Sequence, residues 1–189
     1  MEKTAVQKLA GALKVLVTIT LVCNLVALLL VPGMSLMKGP EELLALTPYE
    51  NPLEVPLRVG IAFVLSWGWV WTAGVYEVVL ALFLLFCGIC TAVILWQGPR
   101  VLGTILTGAP FRAENGVSLR RAAVCCFLIA AAALARVVWG LFYYGSVAPL
   151  LTYNALFVPI FILGGLLCLV MSALFRQAAE LKAENDLTI

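Results

Sequence analysis

Glu77 and Arg136 are two ionisable side chains that interrupt long apolar stretches of this chain. If those stretches cross a bilayer, both charges must find a partner or face a cavity, because a charge at lipid depth is costly. Arg136 lies 15 residues past Arg121, about 22 Å along a helix, and Glu77 lies 20 residues before Gln97, about 30 Å. Both therefore fall in the outer half of their spans, and the length of the Arg side chain covers the difference. The expectation is a Glu77–Arg136 pair between the second and third spans. It reads either as a structural contact, with Glu77 alternatively at the outer headgroups, or as a polar site for a ligand, ion or proton. Asn24, midway along the first apolar run, carries an amide suited to bonding a neighbouring helix. Such bonds contribute about 0.6–2 kcal/mol, which favours packing over chemistry for this residue.

Cys87-Gly-Ile-Cys90 has CxxC spacing, and on a helix its two sulfurs share a face. Thiol–disulfide chemistry needs an accessible thiolate and a second pair to exchange with. All six cysteines (Cys23, Cys87, Cys90, Cys125, Cys126 and Cys168) lie in apolar runs and none in a polar segment, so they read as small buried hydrophobes. The chain has no His. With Cys confined to lipid depth, a zinc or haem centre is not expected. No nucleophile–base pair and no phosphate-cradling Gly-rich loop occurs either. The expectation is a protein that is not an enzyme, with no catalytic residue, cofactor or metal.

The elements that carry these residues follow from composition. Of 189 residues, 63% are apolar and 12% charged, about half the charge of a soluble domain. The mean hydropathy of +1.08 is concentrated in runs long enough to span a hydrocarbon layer of about 30 Å. Four spans are expected, at about 10–31, 73–96, 121–142 and 150–175, within a single membrane domain covering 1–189. The predicted fold is all-α: a polytopic membrane protein, a four-transmembrane-helix bundle with a long first outer loop. The first span should stop at Pro32-Gly33, a turn signal. Lys3, Lys8 and Lys14 precede Val15 to Val31, which exceeds the 7–15-residue core of a signal peptide, so a retained helix is expected.

The outer loop, 32–72, holds Pro40, Pro48, Pro52 and Pro56 with Glu41, Glu42, Glu50 and Glu54. Its end, 60–72, carries Trp67, Trp69 and Trp71 and should be an interfacial or re-entrant piece, at the headgroup level Trp favours. Residues 97–120 form a basic polar loop, and 176–189 a charged, helix-favouring tail. The third span is rich in Ala, from Ala122 to Ala135, and should be the central packing helix. Gly164-Gly165 lies in the fourth, which Pro159 should bend.

Charge fixes the orientation. Lys3, Lys8, Lys14, Arg100, Arg112, Arg120, Arg121, Arg176 and Lys182 are nine of the twelve basic residues. Four spans place all nine on one side, which the positive-inside bias makes the cytoplasm. The net charge of +2 is too small to imply direct nucleic-acid binding.

Two basic-side pieces look like motifs. One is Gly108-Ala-Pro110-Phe111-Arg112-Ala-Glu114-Asn115 before the third span. The other is the ending Glu184-Asn185-Asp186-Leu187-Thr188-Ile189. On these residues, and on its general layout, the chain resembles the domain of unknown function family 2975, small bacterial four-span membrane proteins. The Trp-rich stretch departs from that pattern. The resemblance implies a plasma-membrane protein with no established activity. It also implies a partner, a small helix-turn-helix regulator, besides the lipid bilayer; oligomeric state stays open. The two motifs are then expected to meet that partner in the cytoplasm, or simply to stabilise helix ends at the headgroups. A small transporter, channel or immunity-type protein using Glu77, Arg136 and Asn24 is the alternative.

Overall fold

The computed structural model describes residues 5–36, 55–109 and 111–187. Residues 37–54 of the expected outer loop lie outside them, as do Pro110, Thr188 and Ile189. Every regular element among the described residues is helical: α1 (Ala5–Leu36), α2 (Val55–Trp69), α3 (Val75–Leu106), α4 (Ala113–Tyr144) and α5 (Tyr153–Leu187). Short 3-10 turns, Val70–Thr72 and Ala148–Leu151, precede α3 and α5. Four of these helices are long and apolar enough to cross a membrane. At 32 to 35 residues, or about 48–52 Å, each exceeds the hydrocarbon layer and runs on past its apolar window.

Two expected stops are therefore absent. Pro32-Gly33 does not end α1, which continues to Leu36, and α3 runs through Pro99 to Leu106 rather than yielding to a polar loop at 97. A proline deletes one backbone hydrogen bond, and apolar helices tolerate that where neighbouring groups compensate. Pro32 is fully buried, and the Ser35 hydroxyl donates to its carbonyl at 2.9 Å. The connection between α3 and α4 shrinks to residues 107–112.

Packing divides the chain into two compact units, residues 1–24 with 89–189, and residues 25–88. Within the second unit, Val31, Val70 and Ala81 form a buried cluster, with Leu84 and Leu85 packed against it. The Trp67 indole donates to the Leu29 carbonyl at 3.0 Å and ties the end of α2 to α1. At 15 residues, about 22 Å, α2 is shorter than a span, and the break at Ala73-Gly74 separates it from α3.

Within the first unit, α4 and α5 form an antiparallel hairpin with an extensive interface. The residues α4 buries include Gly116, Ser118, Ala122, Ala123, Cys126, Ala130, Ala133 and Gly140, with Ile129 and Val137 among them. Small residues let backbones approach where no water drives association, so close packing replaces a large-side-chain core. Of the four apolar windows that of α4 is the most buried, 39% against 11–17% for the others. α1 and α5 instead expose residues such as Leu16, Ile19, Leu163 and Leu167, a surface suited to lipid.

Candidate functional site, a basic corner between two spans

The short 107–112 connection brings the end of α3 against the start of α4. Gly108, at φ +75°, supplies the left-handed turn that a side chain would resist. Asn115, in the first turn of α4, is 2% exposed, and its amide donates to the Thr104 hydroxyl at 2.7 Å. That hydroxyl donates in turn to the Val101 carbonyl at 2.7 Å. A buried amide held this way stitches two helices together.

The third helix of the corner is α5. The Ser172 hydroxyl donates to the Gly116 carbonyl at 2.7 Å. A Cβ on Gly116 would stand 3.0 Å from the Ser172 carbonyl and 2.7 Å from Cγ of Arg176, so only glycine permits this approach. The Phe111 ring lies 6.3 Å from that of Phe175. Beside these bonds a cleft of about 500 Å³ opens, lined by Arg100, Thr104, Glu114, Asn115, Val117, Ser118 and Arg121. The Arg100 guanidinium sits 5.5 Å from the Trp96 ring, a cation–π distance.

The loop motif is thus split by its surroundings. Phe111 and Glu114 are exposed, whereas Asn115 is interior and does architectural work. The tail motif begins on α5, where Glu184 and Asn185 are exposed and the helix runs through Asp186 to Leu187.

The three residues of the expected intramembrane site are divided between the two units. Arg136, in the first unit, donates from Nη1 to the Asn154 side-chain oxygen at 3.3 Å, joining α4 to the start of α5. Glu77, in the second unit, occupies the first turn of α3, with its carboxylate folded back over Gly74. That is where a carboxylate meets unpaired backbone N–H groups and the positive end of the helix dipole. Asn24 is half-buried, and its side-chain oxygen has no hydrogen-bond partner; the same holds for Gln97, 5% exposed in the α3 extension. Thr104, Ser172, Asn154 and Gln97 were not flagged by sequence. The first three are lone polar residues whose importance depends on a partner from another helix.

The cysteines make cross-helix contacts, which the CxxC spacing did not foreshadow. Cys90 on α3 is in hydrogen-bond contact with Cys125 on α4, and Cys126 on α4 with Cys168 on α5. All six are free thiols. Among the described residues, no group of three or more His, Cys, Asp or Glu side chains could hold a metal ion.

Four long apolar helices, three of which meet at a basic corner, define a multi-pass helical membrane protein. The chain belongs to the DUF2975 family, proteins of unknown function, whose model matches residues 46–189. No curated protein and no solved structure matches it.

Proposed function

We propose that this chain is a non-enzymatic regulatory component of the bacterial plasma membrane, with both termini in the cytoplasm, that engages a small cytoplasmic partner. The observation that carries the reading is the continuation of α5 beyond the bilayer. From Arg176 to Leu187 it adds twelve helical residues, about 18 Å, with Leu181 exposed among charged neighbours. The base of the extension is fastened to the corner through Ser172–Gly116 and Phe111–Phe175, so a partner on the tail would also meet Phe111 and Glu114. The small helix-turn-helix regulator that the family resemblance implies fits this role, leaving any contact with nucleic acid to the partner.

Co-purification of the full chain with a small helix-turn-helix regulator of the kind the resemblance implies tests the reading, using a chain ending at Phe175 and Leu181→Glu as comparisons. Capture by the full chain, lost on truncation and weakened by Leu181→Glu, is expected. Capture indifferent to the tail would overturn it.

A second reading is a small transporter, channel or immunity-type protein. It draws on the two amide oxygens without a partner, Asn24 Oδ1 and Gln97 Oε1, since such groups in a native interior call for an explanation. Its polar site would use Asn24, Arg136 and Glu77. Glu77→Gln with Arg136→Met would abolish function under this reading and leave it intact under the first.

A further inference from the structure

The cleft between α3 and α4 shares only Glu114 with the tail-centred reading, and its side chains are ordered by charge along its length. Arg100 stands one turn past Trp96, where the apolar run of α3 ends, and Arg121 immediately precedes the apolar run of α4. Both cations therefore sit at the boundary of the hydrocarbon layer, the depth of lipid phosphates. Glu114 lies seven residues from Arg121, about 10 Å further from the apolar layer. The Asn115–Thr104 bond fixes the two walls below the arginines, so the cations are presented from two helices on a braced frame. Ser118, on the α4 wall, adds a hydroxyl between the two charged levels.

We propose that this cleft binds the headgroup of an anionic glycerophospholipid. The phosphodiester lies between Arg100 and Arg121, and the hydroxylated end group donates to Glu114. Paired guanidinium groups match phosphate oxygens in geometry as well as charge. Two cations and one carboxylate leave the cleft at +1, which complements the single negative charge of such a lipid. The carboxylate further out favours an end group that brings hydrogen-bond donors. At about 500 Å³ the cleft accommodates a headgroup and leaves the acyl chains to lie along α3 and α4. The same phosphate chemistry would admit a soluble phosphate, so the test separates the two sources.

The experiment uses the full chain purified in non-ionic detergent, with binding read as a saturable rise in melting temperature. Short-chain phosphatidylglycerol is titrated beside phosphatidylethanolamine, glycerol 3-phosphate and inorganic phosphate. Phosphatidylglycerol should bind at least tenfold more tightly than the other three. Arg100→Gln with Arg121→Gln should weaken it at least tenfold, whereas Arg112→Gln with Arg120→Gln, cations outside the cleft, should change it less than about twofold. Glu114→Gln should reduce the preference for phosphatidylglycerol over phosphatidic acid, which lacks the end group. Each variant's ligand-free melting point shows that it folds; if Arg100→Gln/Arg121→Gln does not, Arg100→Lys/Arg121→Lys replaces it and should weaken binding by a smaller factor. Equal response to inorganic phosphate or phosphatidylethanolamine, or wild-type affinity in the cleft variant, would overturn the proposal.

Discussion

The two turns that bound α4 solve the same problem by different physics. At its start, Asn115, Thr104 and Ser172 join three helices through hydrogen bonds of 2.7 Å, and a charged cleft opens beside them. At its end, closure depends mostly on shape. Gly145, at φ +59°, caps α4 in the left-handed region, and Pro149 packs on Gly140, where a Cβ would stand 3.1–3.2 Å away. Trp139, Tyr143 and Tyr144 add ring contacts with centroids 4.8 and 5.1 Å apart, and Arg136 reaches Asn154 at 3.3 Å. The first turn invests buried polar groups, which are specific and intolerant of change. The second uses an aromatic girdle of the kind that anchors a helix at the bilayer surface. The charged cleft lies at the first turn.

Substitutions should expose that contrast. Gly116→Leu should have the largest effect, because its side chain would meet the Ser172 backbone carbonyl and Arg176. A loss of about 3 kcal/mol, the upper part of the range for overpacking, is expected in detergent unfolding. Asn115→Ala removes the bond to Thr104 and leaves a void, and should cost about 1–3 kcal/mol by the same assay. Gly140→Ala, its counterpart at the second turn, asks Pro149 to shift by a few tenths of an ångström and should cost about 1 kcal/mol or less. Arg136→Met should be mildest, near the average of about 0.6 kcal/mol for an interhelical hydrogen bond within membranes. If Gly140→Ala proved as damaging as Gly116→Leu, the distinction between the two turns would disappear.

The spans were legible because about 20 consecutive apolar residues have few alternatives to a membrane helix. Their ends were not. Pro32-Gly33 read as a stop and the residues from 97 as a polar loop, yet α1 runs through Pro32 and α3 through Pro99. The packing role of the third helix could be read from its alanines, since small residues at helical spacing permit close contact whatever the partner. Asn115 could not be placed, because an Asn beside Glu114 in a polar segment is equally suited to a surface or an interior. What decides is Thr104, eleven residues earlier on a different helix. Glu77 shows the converse. Its charge made it legible as a candidate for a cross-helix pair, and its position in the first turn of α3 adds a local role that depends on where the helix begins.

The arrangement of the two turns on opposite sides of the membrane, with the basic one in the cytoplasm, is the claim on which the functional reading rests. Thr107 and Ser146 are exposed residues in the two turns, and each can be replaced singly by Cys in a chain whose native cysteines are changed to Ala or Ser. Intact cells are then treated with a membrane-impermeant maleimide before and after permeabilisation. The account predicts that Ser146→Cys labels in intact cells and Thr107→Cys only after permeabilisation. Labelling of Thr107→Cys in intact cells would contradict it.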